Sequence, residues 1–151
     1  MIAARMHGYK QPLVLEEVDV PDIAADEVLV KVAATGMCRT DWQLLDGYFK
    51  AYKLPDFPLT PGHEIAGTVD RIGSLVPSSA GFAEGDLVAV VGGWGDGSCR
   101  QCHEGNTQIC SNGKWPGFGP YGGYSEYVPV PYSYLIPIEK KYNLTAEEIA
   151  P

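Results

Sequence analysis

What this chain lacks narrows it before any motif is read. No apolar run approaches the roughly 18 residues that a membrane-crossing helix needs. No block of basic residues occurs, and 11 Lys and Arg stand against 19 Asp and Glu, a net charge of −8. Phosphate binding needs clustered cations, so nucleic acid is disfavoured as a partner. The start, Met1-Ile2-Ala3-Ala4-Arg5, has neither the charged opening nor the long apolar core of a signal peptide, which points to the cytoplasm. Cysteine is scarce, with four in 151 residues. In a reducing compartment those four are ligands or nucleophiles rather than disulfides. There is no internal repeat, no low-complexity stretch and no Gly-x-Gly-x-x-Gly dinucleotide fingerprint.

What is present describes one β-rich domain. A hydrophobic share of 45% and this length suffice for a full core. The 18 Gly and 12 Pro predict many turns and short strands rather than long helices. Strands are expected over 2–6, with a hairpin partner over 13–18, then over 28–34, 64–72, 87–91, 124–130 and 134–138. In the third of these Val28, Val30 and Val32 share a face at period two, and Gly67 in the fourth marks a bulge or a close backbone approach. One or two helical turns are expected at Trp42–Leu45 before Gly47, capped by Cys38 or Thr40. The aromatic, proline-rich stretch 48–61, with Pro55, Pro58 and Pro61, reads as a loop that packs its own side chains. A helix begins near Leu144 with Thr145 as its cap. The chain stops a few residues later at Pro151, which suggests one domain of a longer protein.

Two constellations carry chemistry. Cys99-Arg100-Gln101-Cys102 has the two-residue gap that lets both sulfurs face one metal, and Cys110 follows. Asp96 is the fourth ligand expected for a closed, structural zinc, with His103 as its rival. Three reduced thiols without metal are the alternative. The second constellation joins Gly36-Met37-Cys38-Arg39-Thr40-Asp41 to Pro61-Gly62-His63-Glu64. Cys38 and His63 are expected as two arms of a catalytic zinc, with Glu64 binding beside or standing just behind. Asp41 can accept the other ring N–H of His63, Thr40 can pass a proton outward, and Arg39 can pair with a cofactor phosphate. A small buried cysteine and a structural histidine are the bland alternative. Trp94, Trp115 and Phe49 are the bulky candidates for a pocket wall.

Those motifs, with Gly62-His63-Glu64-Ile65-Ala66-Gly67 and Gly85-Asp86-Leu87-Val88, occur in the order seen in medium-chain zinc-dependent alcohol dehydrogenases. The resemblance covers nearly the whole chain and implies the family's N-terminal catalytic domain over 1–151. That domain is mostly β with short helices, a GroES-like, partly open β-barrel with a zinc-binding loop. It implies a catalytic zinc on Cys38 and His63 with Glu64 beside it, and a structural zinc on Asp96, Cys99, Cys102 and Cys110. Thr40 is implied as proton relay, Asp41 as the partner of His63, and Arg39 as a neighbour of the pyrophosphate of NAD or NADP. Most family members carry Cys where this chain has Asp96, and some carry a histidine relay where it has Gln43. The implied reaction interconverts an alcohol and its aldehyde or ketone. The third catalytic ligand and the Rossmann domain are expected beyond Pro151, in a homo-oligomer, dimer or tetramer. Rival readings are a polyol or sugar dehydrogenase on the same scaffold, a zinc-free quinone reductase, and a non-catalytic zinc-stabilised module.

Overall fold

The structure, a computed structural model, describes residues 1–52, 54 and 56–150. Pro55 in the aromatic loop and the terminal Pro151 lie outside the described residues. Strands dominate and helices are short. A hairpin of β1 (Ile2–Arg5) and β2 (Val14–Glu17) precedes a five-stranded antiparallel sheet. The sheet comprises β3 (Glu27–Thr35), β4 (Ile65–Ile72), β5 (Leu87–Val90), β6 (Tyr127–Pro131) and β7 (Leu135–Pro137), in the order β6-β3-β4-β5-β7. Neither sheet closes on itself. The hairpin is tied to the residues just before β6 through the Ala3–Ser125 bridge and the hydrogen bonds Ala4 N–H to Tyr124 O (2.7 Å) and Glu126 N–H to Ile2 O (3.1 Å). The helices are α1 (Arg39–Asp46), α2 (Arg100–His103) and α3 (Ala146–Ile149).

Alternation builds the main core. Val28 and Val30 of β3 meet Val69, Val88, Val128 and Val130, all essentially buried. Leu29 points to the opposite face and is also buried, and α3 packs against both β3 and β4. That two-sided burial is the pattern of a central strand and departs from a simple inside–outside alternation. Burying one such aliphatic side chain stabilises the fold by about 1.5–3 kcal/mol.

Two local features aim the chain at the site. Opposite Gly67 the β3–β4 register shifts between Val32 and Ala34, leaving Ala33 as a bulge. A Cβ on Gly67 would stand 2.2 Å from the Lys31 carbonyl oxygen, so only glycine admits this approach. The bulge bends the end of β3 and delivers the chain to Gly36 and Cys38. A second, smaller cluster of Met6, Leu44 and Leu59 then pins α1 from beneath. Its backbone counterpart is the reciprocal pair Met6 N–H to Leu59 O (2.8 Å) and Leu59 N–H to Met6 O (3.0 Å). Leu59 leads directly into Pro61, Gly62 and His63, so one apolar cluster supports both arms of the site.

Candidate functional site

Cys38 is the N-cap of α1. Its sulfur accepts the Thr40 N–H (3.2 Å), and the Asp41 carboxylate accepts the Cys38 N–H (3.0 Å), a reciprocal capping box. Helix α1 runs further than the turn expected from Trp42, starting at Arg39. It ends at Gly47, whose φ of +88° is the left-handed conformation that glycine adopts freely. Asp41 is 2% exposed and holds the opposite arm as well, taking the Gly62 N–H at 3.2 Å. Gly62 itself has φ +93°, and a Cβ there would lie 2.6 Å from the Tyr124 ring. This glycine is required both by its backbone and by its neighbour.

The two arms converge. Cys38 Sγ lies 3.1 Å from His63 Nε2. Ligands at about 2.3 Å (sulfur) and 2.0–2.1 Å (nitrogen) on a tetrahedral zinc would be about 3.5 Å apart, so this pair fits a shared ion. On the other side of the ring, His63 Nδ1 faces Asp41 Oδ1 at 3.5 Å. That is ion-pair range, but it is not a formed hydrogen bond, and Nδ1 is buried without a hydrogen-bond partner. Cys38, Asp41 and His63 form the group whose ligand atoms lie mutually within 4.8 Å. Glu64 is not in it. This residue is half-buried, and its carbonyl takes the Gly36 N–H at 2.8 Å. Asp41 spends its two oxygens on backbone amides and the far side of the imidazole, so it orients the ring rather than facing the sulfur.

The electrostatics match this arrangement. The Asp41 carboxyl, although burial works against its charge, is held below the usual range by His63 and by the Cys38 and Gly62 amides. His63 is raised from 6.5 to about 8, first by Asp41, against the opposing effect of burial. Tyr124, which sequence reasoning missed, brings a buried hydroxyl without a partner to the same spot. Burial, then the Asp41, Cys38 and Glu64 charges, keep that hydroxyl protonated.

The other sulfurs meet in a separate lobe. Cys99 Sγ lies 3.6 Å from Cys102 Sγ and 3.7 Å from Cys110 Sγ. Two thiolates on one tetrahedral zinc would be about 3.8 Å apart, whereas a disulfide needs about 2.05 Å. Amides of Cys102 and Ser111 draw the Cys99 thiol down to about 6. Cys110 stands at about 11: the Asp96 amide favours its thiolate, but desolvation and the two neighbouring sulfurs outweigh that. Holding all three sulfurs as thiolates would call for a cation between them. Asp96 Oδ1 touches Cys110 Sγ at 3.4 Å but lies outside the group of three. Ser98 donates to that oxygen from its N–H (2.9 Å) and its hydroxyl (2.7 Å), and Asn112 donates to Oδ2 (3.1 Å). His103, the rival fourth ligand, is exposed and is not grouped with the thiols either.

A cleft of about 700 Å³ opens beside His63, with Thr40, Phe49, Leu54, Trp115 and Phe118 among its lining. Phe49 and Trp115 line it as expected, but Trp94 does not. Its indole N–H donates to Val91 O (2.6 Å) and its ring packs toward Tyr134, 6.5 Å away. Phe118 was not foreseen, because it reaches the site from 55 residues downstream of His63 with no local periodicity to mark it. Arg39 is exposed on the first turn of α1.

A half-buried histidine facing a thiol at the floor of an apolar cleft, on an open antiparallel scaffold with a separate cysteine lobe, marks out one family of folds. The family model for the alcohol dehydrogenase GroES-like domain matches residues 24–140, and the chain belongs to that family. An NAD-dependent alcohol dehydrogenase of Sulfolobus acidocaldarius is 40% identical over 154 residues, covering 99% of this chain and 44% of that protein. A D-arabinose 1-dehydrogenase (NADP(+)) of Saccharolobus solfataricus is 38% identical over 150 residues, covering 99% of this chain and 41% of that protein. Among solved structures, the cobalt and zinc bound thermostable alcohol dehydrogenase from Pyrobaculum aerophilum matches with a TM-score of 0.85 at 32% identity, over 99% of this chain and 44% of that one. The chain thus spans less than half the length of these relatives.

Proposed function

We propose that residues 1–151 form the zinc- and substrate-binding domain of an oxidoreductase that interconverts an alcohol and its aldehyde or ketone with NAD or NADP. The observation that carries this reading is the 3.1 Å approach of Cys38 Sγ to His63 Nε2 beside the cleft, with Asp41 behind the ring. The relatives' names support it, and the zinc in the Pyrobaculum protein supports the choice of metal. A reducing, cytoplasmic setting and a homo-oligomeric complete protein belong to the same proposal.

Cys38 and His63 would hold the catalytic zinc, with Glu64 beside it as a further ligand or close neighbour. When bound, zinc supplies Lewis-acid polarisation that lowers the pKa of an alcohol hydroxyl. Asp41 fixes the imidazole so that Nε2 stays turned toward the Cys38 sulfur. Thr40, on the cleft wall, takes the hydroxyl proton outward. The apolar walls would exclude water and orient the carbinol carbon, and a bound nicotinamide would supply the hydride acceptor. Arg39, exposed at the mouth of α1, pairs with a cofactor phosphate. Cys99, Cys102 and Cys110, with Asp96, hold a structural zinc. A relative named for D-arabinose favours a sugar or polyol as the alternative substrate.

The test is metal analysis and turnover of the complete protein that carries this chain. About two zinc ions per chain are expected, and Cys38→Ser loses one zinc and all measurable turnover while circular dichroism is unchanged. Zinc well below one per chain, or near-normal turnover in Cys38→Ser, overturns the reading.

A further inference from the structure

Among the described residues, three buried side-chain polar atoms have no hydrogen-bond partner: Thr35 Oγ1, His63 Nδ1 and the Tyr124 hydroxyl. Buried polar groups are nearly always paired, so an orphan next to a site marks a group held ready for a partner. The last two atoms both adjoin Asp41, which faces His63 Nδ1 at 3.5 Å and acts on the Tyr124 hydroxyl through its charge. The imidazole nitrogen is already turned to Asp41. The hydroxyl has no part in the alcohol chemistry, and Tyr124 does not line the cleft.

Tyr124 sits where the two arms of the site meet. Its N–H donates to Pro61 O at 3.0 Å, and the Gly123 N–H donates to Gly62 O at 2.8 Å, so the segment leading into β6 grips the His63 arm. Its carbonyl accepts the Ala4 N–H at 2.7 Å, which anchors it to the N-terminal hairpin. Its ring lies against Gly62, where a Cβ would stand 2.6 Å from Cδ1. Gly62 in turn donates its N–H to Asp41 Oδ1 at 3.2 Å. The side chain thus runs from the His63 arm to the carboxylate that α1 supplies. A carboxylate offers about four acceptor sites. The Gly62 amide and the imidazole face Oδ1, and the Cys38 amide takes Oδ2, which leaves room on Oδ2 for a further donor. Burial first, and then the Asp41 charge, keep the Tyr124 hydroxyl protonated, so the group beside this anion is an O–H donor.

We propose that Tyr124 is a positioning residue, whose hydroxyl donates to the Asp41 carboxylate and so holds the Asp41–His63 pair with the imidazole turned toward Cys38. The proposal rests on the oxidoreductase reading and adds a residue to its metal site. The two amides that Asp41 accepts belong to the very arms it ties together, so they move with it. Tyr124 is also tied to the hairpin, and it gives the pair a support outside both arms. A hydrogen bond to a buried charge changes the equilibrium it controls by about tenfold or more.

The experiment compares Tyr124→Phe with the parent in the complete protein, by zinc competition with a chromophoric chelator. The Cys38–His63 zinc is the phase that Cys38→Ser abolishes. Tyr124→Phe keeps the ring on Gly62, and it should weaken that phase about tenfold while leaving the cysteine-lobe phase in place. In the metal-free protein, hydrogen exchange at the Cys38 and Gly62 amides, which share Asp41 as acceptor, should rise about tenfold, with amides in the middle of β3 and β4 unmoved. Tyr124→Leu, which removes the ring as well, should show both changes and a lower thermal midpoint. If Tyr124→Phe leaves either the affinity or the exchange unchanged, the hydroxyl is idle and the proposal is overturned, with the oxidoreductase reading intact. Loss of the fold in Tyr124→Phe, seen by circular dichroism, overturns it too, because the hydroxyl would then be structural. If Cys38→Ser abolishes no zinc phase, it is the oxidoreductase reading that fails. Amide exchange then decides alone whether Tyr124 holds Asp41: a rise in Tyr124→Phe supports it, and no rise overturns it.

Discussion

The chain places cysteine sulfurs in two settings, and they are built in opposite ways. Around Cys38 and His63 the support is buried: Asp41, Leu44, Leu59, Pro61, Gly62 and Ile65 are all removed from solvent. Around Cys99, Cys102 and Cys110 no residue from 94 to 115 is buried. That lobe is tied down by short-range turns, by the paired Trp94–Lys114 backbone bonds (2.8 and 2.9 Å), and by the Tyr134 hydroxyl donating to Gly95 O (3.0 Å). The first site takes its geometry from an apolar core. The second has no core of its own, so a metal shared by its sulfurs would be its main organiser. The same ligand chemistry can sit on a preformed scaffold or help make the scaffold.

Removing metal should expose this contrast most sharply. A strong chelator, or Cys102→Ser, should leave the amides of residues 95–113 exchanging freely, while Gly36 and Gly62 amides keep their protection. Hydrogen exchange reads both in one sample, and equal loss at both sites would erase the distinction. Leu44→Ala probes the opposite side. It should cost about 2–5 kcal/mol in chemical denaturation, because it empties the cluster beneath both arms of the Cys38 site. It should spare zinc at the cysteine lobe.

A smaller effect follows from Asp41→Asn. Zinc affinity at the Cys38–His63 site should fall about 10- to 100-fold, as expected when a ligand histidine loses the carboxylate behind it. Titration with a chromophoric chelator measures this, and an unchanged affinity would remove Asp41 from its orienting role. The mildest test is pH. In the metal-free protein His63 is held at about 8 rather than 6.5. The charged ring therefore favours the fold fully below 6.5, and that contribution is lost as pH rises through about 8. Zinc requires the neutral ring, so its uptake at this site should tighten as pH climbs toward 8, by about tenfold per unit for that one proton. The His63 ring shifts in NMR spectra follow the titration directly.

Much of this could be read from the chain in order, and the reasons are local. The Cys38–Thr40–Asp41 cap spans four residues, so its hydrogen bonds depend on little outside α1. The alternation of Val28 and Val30 marks a strand because side chains in extended backbone point alternately to opposite faces. Thr145 caps α3 with Glu148 by the same short-range logic. Reading failed where partners came from afar. Leu29 is fully buried on the face that alternation would leave open, in a strand that α3 contacts from more than a hundred residues away. Trp94 turned to Tyr134 instead of the cleft, and Phe118 took a place there that nothing near it in sequence announces.

Residue order alone settled the short strands and the capped turns and marked the two sets of candidate metal-binding side chains, since each depends on atoms a few bonds apart. Only the folded chain decided that Cys38 and His63 face each other, that Asp41 stands behind the imidazole, and that Phe49, Trp115 and Phe118 close one wall. Those contacts are set by which apolar clusters pack together and where glycine lets two backbones touch, and neither is encoded in any single stretch.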